Sequence, residues 1–174
     1  MKTSLQFVPI KDKDLDILVA LARQTFMDAY AHKTPAKDME TYCNKAFDRQ
    51  NLDEEGKNTD AMFFFVKKER QNIGYIKLRW DRTVPELEGE TALEIERFYL
   101  LKAYYGMGFG KPMLHFCEKF AKMKRMKWLW LLVWPENEQG ISFYKKTGFE
   151  KFADKIFDFA GHLETDWLFR KLVD

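Results

Sequence analysis

Cysteine is nearly absent: Cys43 and Cys117 are the two in 174 residues, far apart and outside any CxxC, zinc-knuckle or disulfide-framework spacing. That excludes a disulfide-stapled fold and reads as two buried thiols. Histidine is equally scarce. His32, His115 and His162 share no spacing with cysteine or carboxylate that would define a metal site, so no metal is expected. Charge of one sign is not in excess, since 29 Lys and Arg face 27 Asp and Glu for a formal +2. The strong basic field of a nucleic-acid coat is therefore missing. No apolar run approaches the roughly 18 residues of a spanning helix, and the opening MKTSLQFVPIKDKDLD carries charges where a secretory signal needs its apolar centre. A cytoplasmic chain without membrane contact is the expectation. What the sequence does hold is aromatic mass, with 16 Phe, 7 Tyr and 5 Trp in a chain that is 46% hydrophobic, which excludes global disorder. Its length suits one domain, expected over 1–174.

Leu5 to Pro9 reads as a first strand, and Leu15, Leu18, Val19, Ala22 and Phe26 then recur with helical spacing behind a cap at Asp12 or Asp14. Thr34 followed by Pro35 predicts the start of a second helix, with Met39, Tyr42, Cys43 and Ala46 on one face and an end near Phe47. Residues 48–60 are polar, starting helical and then looping out. AMFFFV from Ala61 and IGYIKLRW from Ile73, around a charged turn, predict an antiparallel hairpin. Ala92 to Leu101 returns to strand and feeds YYGMGFGK, after which Met113, Leu114, Cys117, Phe120 and Ala121 take helical spacing. WLWLLVW, residues 128–134, is apolar on both faces, as befits a central strand covered on both sides. A short helix capped by Asn137 stops at Gly148, and two strands close the chain, Phe149 to Phe159 and Thr165 to Leu172.

Three motifs can carry chemistry. Gly106, Gly108 and Gly110 alternate between a strand and a helix, where glycine lets backbone N–H groups turn toward an anion at the helix N-terminus. The plainer reading is a tight turn. A dinucleotide site is disfavoured, because it would want GxGxxG in a βαβ unit near the N-terminus. Glu94 and Glu96 share one face of a strand, and on a partly buried face a carboxylate can become a base near neutral pH; a solvated face paired with Arg97 or a lysine is the alternative. SFYKKTGF, residues 142–149, carries Tyr144 one turn before a helix end, where packing alone could explain it. The basic run from Lys119 to Lys127 follows a helix and complements its dipole as solvated surface.

Taken jointly, the element order, YGMGFGK between strand and helix, and NEQGISFYKKTGF after the next strand resemble the GNAT superfamily of N-acetyltransferases. Within it, TFMDAY at 25–30, LEIERFYLLKAYYGMGFGKPML at 93–114, VWPENEQGISFYKKTGF at 133–149 and ETDWLFRK at 164–171 resemble the PaiA-type polyamine acetyltransferases. The superfamily loop is written as Gln or Arg, two residues, Gly, one residue, then Gly or Ala. Tyr105 stands in the Gln/Arg position, while Gly108 and Gly110 match.

The resemblance implies an α+β, three-layer architecture with a mixed central sheet of about seven strands and helices on both faces. It implies acetyl-CoA as co-substrate, in a cleft between two splayed parallel strands. Phe98, Tyr99 and Leu100 would offer backbone groups to the pantetheine and to the thioester carbonyl. The loop of Tyr105, Gly106, Met107, Gly108, Phe109, Gly110 and Lys111 would take the pyrophosphate, with Asn137 and Lys146 as further contacts. Tyr144 matches the family tyrosine that faces the sulfur, as general acid, and Glu94 or Glu96 would be the base. Asp28 and Trp134 would line the acceptor side for a polyamine such as spermidine. The partner expected is a small-molecule amine, with a homodimer left open. The rivals are an acyl-CoA-binding regulatory module without turnover, and an acetyltransferase for a protein N-terminus or an antibiotic.

Overall fold

The computed structural model describes residues 4–159 and 161–173; residues 1–3, 160 and 174, which the expected domain span includes, lie outside them. Its elements in chain order are β1 (Leu5–Pro9), α1 (Leu15–Tyr30), α2 (Ala36–Ala46), α3 (Arg49–Gly56), β2 (Ala61–Lys68), β3 (Gln71–Arg79) and β4 (Ala92–Leu100), followed by α4 (Gly110–Met123), β5 (Trp128–Val133), α5 (Glu138–Lys146), β6 (Glu150–Phe159) and β7 (His162–Leu172). The strands form one seven-stranded sheet in the order β1-β2-β3-β4-β5-β7-β6. All neighbours run antiparallel except β4 and β5.

Helices cover both faces because the strands present apolar side chains both ways. On one face Met113, Leu114, Cys117, Phe120 and Ala121 of α4, with Ile141 of α5, pack on Ile76, Leu78, Ile95, Leu129, Leu131 and Phe169. On the other, Leu18, Ala22 and Phe26 of α1 and Met39 and Cys43 of α2 meet Phe63, Phe65 and Tyr75. A smaller cluster joins Val84 and Leu87 of the β3–β4 connection to Trp130 and Leu168.

The start of α2 differs from expectation, and Asp14 precedes α1 as expected but caps none of its N–H groups with its side chain. Pro35, not Thr34, precedes the first helical residue of α2, with ψ at 140° and no side-chain cap. Asp14 uses its carboxylate to accept from the Lys11 N–H at 3.1 Å, across a single 3-10 turn that leads into α1. The polar stretch after Phe47 forms a full third helix, α3, started by Asp48, whose side chain accepts from the Gln50 N–H at 3.0 Å. Leu52 is the buried residue of that helix, so apolar periodicity could not reveal it. Ion pairs hold it instead. Arg97 donates two hydrogen bonds to Glu55, at 2.8 and 3.0 Å, and the buried Lys77 ammonium bridges Glu55 and Glu96 at 2.8 and 2.7 Å.

The feature that positions the site is where β4 and β5 stop pairing. Their parallel register runs Ala92 to Trp128, Leu93 to Leu129 and Glu94 to Trp130, and there it ends, although β4 continues to Leu100 and β5 to Val133. Beyond Glu94 the two strands splay, as the expected fold requires. No helix among the described residues is long and apolar enough to cross a membrane.

Candidate active site

A pocket of about 320 Å³ opens on the α1–α2 face of the sheet, at the apex of that splay. Phe26, Tyr30 and Tyr42 wall it from the helices, Glu94, Glu96, Arg97 and Tyr99 from β4, Trp134 from the end of β5, and Lys155, Glu164 and Asp166 from the β6–β7 hairpin. Strict alternation would send Arg97 to the face opposite Glu96. Instead β4 carries a bulge: Lys77 pairs with Arg97 and Leu78 with Ile95, so Glu96 has no opposite residue on β3 and both it and Arg97 face the pocket.

The two glutamates, equivalent in sequence, are in different states. Glu94 is 1% exposed, its Oε2 accepts no hydrogen bond, and its near counter-charge is Arg82 Nε at 3.5 Å. Burial pushes its carboxyl up to about 7, which Arg82 only partly opposes and Glu96 reinforces. Burial acts on Glu96 too, but the cations of Lys77, Arg97 and Arg79 outweigh it and hold that carboxyl below the ordinary range. Glu96 is thus a fixed anion, and Glu94 a group able to take a proton near neutral pH.

Tyr144 lies on α5, its ring against Phe98, Phe143 and Phe149 at centroid distances of 6.4, 5.4 and 5.5 Å. Burial raises its phenol, with smaller contributions from Tyr30 and Cys117, so it is neutral and able to donate at pH 7. Among the described residues nothing hydrogen-bonds its hydroxyl. The Tyr144 ring packs against the cluster on the α4–α5 face of the sheet.

The glycine loop has the geometry an anion cradle needs. Gly106 and Gly108 take φ of 71° and 83°, a region that side chains other than glycine's enter at a cost, and a Cβ at either would meet nothing within 4 Å. The loop therefore faces open space. The first turn of α4 has no intrahelical acceptors for its N–H groups, no side chain caps it, and Pro112 falls within it at no cost in hydrogen bonds. Gly110 is glycine for another reason: a Cβ there would lie 3.0 Å from the Phe143 ring, so it permits close contact of α4 with α5. Met107 and Lys111 are exposed and Phe109 precedes α4. Tyr105 is half-buried, and burial pushes its phenol up to about 12, with Asp28 and Tyr30 adding to the rise. Asn137 caps α5, accepting from the Gly140 N–H at 2.9 Å, and Lys146 ends that helix exposed. Phe98 and Leu100 point into the α4–α5 layer while Tyr99 lines the pocket, which leaves the backbone of all three along the splayed edge of β4.

Asp28 departs from expectation. It is not among the pocket-lining residues; one carboxylate oxygen accepts the Lys102 N–H at 2.9 Å and the other the Gln24 amide at 2.7 Å, which ties α1 to the turn before the glycine loop. Trp134 does line the pocket, 5.9 Å from Tyr30, but the Lys33 ammonium already lies 5.4 Å from its ring centroid. Sequence reading missed Arg82, Lys155, Glu164 and Asp166. The one available signal was that Glu164, Asp166 and the buried Leu168 fall at alternate positions of a strand.

The model of the acetyltransferase (GNAT) family matches residues 21–149, and the chain belongs to that family. It is an acetyl-CoA-dependent N-acetyltransferase. An uncharacterized N-acetyltransferase of Lactobacillus delbrueckii subsp. lactis is 31% identical over 98% of this chain and 99% of its own. The spermidine N(1)-acetyltransferase of Thermoplasma acidophilum is 27% identical over 84% of this chain and 89% of its own. Among solved structures, the PaiA N-acetyltransferase of Thermoplasma acidophilum in complex with coenzyme A superposes with a TM-score of 0.75 at 24% identity, covering 97% of this chain and 99% of that one. A point mutant of the SpeG spermidine N-acetyltransferase of Vibrio cholerae gives a TM-score of 0.69 at 15% identity, over 97% and 93%. These two structural likenesses support the fold.

Proposed function

We propose that the protein acetylates a primary amine of a polyamine such as spermidine, with Glu94 as base and Tyr144 as proton donor. The observation that carries this reading is Glu94, a buried carboxyl without a hydrogen-bond partner on Oε2, at the last paired rung before β4 and β5 part. Acetyl-CoA supplies the acetyl group as a thioester, and the nitrogen–carbon bond forms as the carbon–sulfur bond breaks, leaving an N-acetyl amine and CoA thiol. An alkylammonium is protonated at neutral pH and cannot attack until it loses a proton, which Glu94 is set to accept. Tyr144 is set to hydrogen-bond the departing sulfur. The open Gly106–Gly108 loop and uncapped α4 N-terminus fit a pyrophosphate, and the free edge of β4 fits the amide-bearing pantetheine arm.

An acceptor screen read by release of CoA thiol tests the substrate. Spermidine should be acetylated faster than neutral or acidic amines, and its kcat/KM should fall as salt screens the attraction. Better turnover of acidic or neutral amines would remove polyamines while leaving the acetyltransferase in place. The loop assignment has its own test. Gly108→Val forces a β-branched residue to φ 83° and aims its side chain at the proposed phosphate position. The space around it is open, so the fold should persist at a strain cost of about 1–3 kcal/mol in stability, while the acetyl-CoA KM rises about tenfold or more because the side chain keeps the phosphate from the loop N–H groups. An unchanged KM in the folded variant would place the pyrophosphate elsewhere.

A further inference from the structure

Part of the charge that walls the pocket is already matched by other groups. Glu96 is taken by Lys77 and Arg79, Arg97 by Glu55, and Lys33 by Glu136. Asp38 has His162 at 3.9 Å. What remains is Glu94 beside Arg82 on one wall and, on the β6–β7 hairpin opposite, Lys155, Glu164 and Asp166. Among the described residues none of these three hairpin side chains makes an ion pair within 4 Å or a hydrogen bond. Glu164 and Asp166 stand two apart on β7, hence on one face, and Asp166 lies directly across from Lys155 in the hairpin register. Three carboxylates of the lining, Glu94, Glu164 and Asp166, thus face two cations, Arg82 and Lys155, and the buried Glu94 Oε2 accepts no hydrogen bond.

We propose that Glu164 and Asp166 form a second ammonium site, which holds the distal amine of a diamine or longer polyamine while the reacting amine lies at Glu94. The site rests on the reading of this pocket as the acceptor pocket. Lys155 acts as the resident competitor. Its ammonium lies within the electrostatic reach of both Glu94 and Asp166, and burial and Arg82 together lower its affinity for a proton. Burial also pushes the Asp166 carboxyl up to about 6, helped by Glu164 and opposed by Lys155, as expected of an acid whose counter-ion is incomplete. An arriving ammonium would complete that pairing and leave Lys155 to swing toward solvent. A monoamine gains nothing there, so the site acts on selectivity through the second charge.

The test compares kcat/KM for 1,4-diaminobutane and spermidine with that for n-butylamine, by CoA thiol release, in the wild type, Asp166→Asn, Glu164→Gln, the double variant and Lys155→Met. The wild type should prefer the diamine to the monoamine at least tenfold. The double variant should lose about tenfold of that ratio, chiefly through the diamine KM, and Lys155→Met should raise the ratio severalfold. Glu164 is exposed, so Glu164→Gln keeps the test open if Asp166→Asn fails to fold. A ratio unmoved in both carboxylate variants overturns the second site while the acetylation of amines stands. A wild type that turns over amino acids or peptide amines better than either probe also overturns it, since Arg82 and Lys155 would then be receiving a carboxylate. Absence of turnover with every amine would remove the acceptor-pocket reading itself, and the second site with it.

Discussion

Glu94→Gln should lower kcat with spermidine by about 10² to 10⁴, the range a positioned acid or base supplies. Glutamine keeps the shape and cannot accept the proton. The wild-type kcat/KM should show a limb centred near pH 7, where the Glu94 carboxyl titrates, superimposed on the slower rise from deprotonation of the amine itself. The groups that set this position are Arg82 and Arg79, which lower it, Glu96, which raises it, and Lys155, which lowers it, all against the dominant effect of burial. In Glu94→Gln the limb near 7 should vanish and the amine-dependent rise should remain. A wild-type profile without that limb, or a variant that retains it, would move the base elsewhere; Glu96, held ionised by Lys77, cannot produce a limb in that range.

The same substitution should stabilise the protein above neutral pH. Because the folded state holds the Glu94 carboxyl above its ordinary value, folding binds a proton between about pH 4.5 and 7, and stability falls as pH rises through that window. At pH 8 the ionised, buried carboxylate costs up to about 3 kcal/mol, which a residue that never ionises does not incur. A Tm several degrees above wild type at pH 8, with the difference closing toward pH 5, is the expected result. On the proposed reading of Glu94 as the base, function and stability oppose each other at one carboxyl.

Local chemistry was readable in the sequence, and distant pairing was not. The Gly106–Gly110 loop is legible as a sharp strand-to-helix turn from three alternating glycines, and it reads as an anion cradle only together with the segments around it, while WLWLLV reads as a central strand because both its faces are apolar. The pair Glu94 and Glu96 was legible as one face, but the bulge that adds Arg97 to that face depends on the register of β3, which no period in β4 records. Helix α3 has Leu52 as its buried residue and is held by Glu55 gripping Lys77 and Arg97, an arrangement between residues 22 and 42 positions apart. Glu164 and Asp166 enter the pocket because β7 pairs with β5, across the whole of α5 and β6. Asp28 failed as a pocket residue for a converse reason. Its helix was right, but its carboxylate is used by the Lys102 backbone, a partner that only the folded chain brings near.

Tyr144→Phe should lower kcat by about 10², with the acetyl-CoA KM and the Tm little changed. The ring is retained, and with it the contacts to Phe98, Phe143 and Phe149 that fasten α5 to the sheet. The hydroxyl that is lost accepts and donates no hydrogen bond among the described residues, so its removal leaves no partner unsatisfied and a stability cost is not expected. The rate effect belongs at the lower end of what a general acid supplies, for two reasons. A thiolate leaves tolerably well unassisted. The phenol, which burial holds above its ordinary range, is also a weaker acid than a thiol of about 8.5, so complete proton transfer to the sulfur is uphill and, on the proposed reading, Tyr144 would act chiefly by hydrogen bonding to developing negative charge. That makes the leaving group the decisive variable. An acetyl donor whose thiol is more acidic needs less help, and the gap between the wild type and the Tyr144→Phe variant should narrow with it. A gap that does not respond to the leaving thiol would mean the hydroxyl serves binding geometry. Unchanged kcat with every competent amine would leave Tyr144 as a core aromatic, with water supplying the proton.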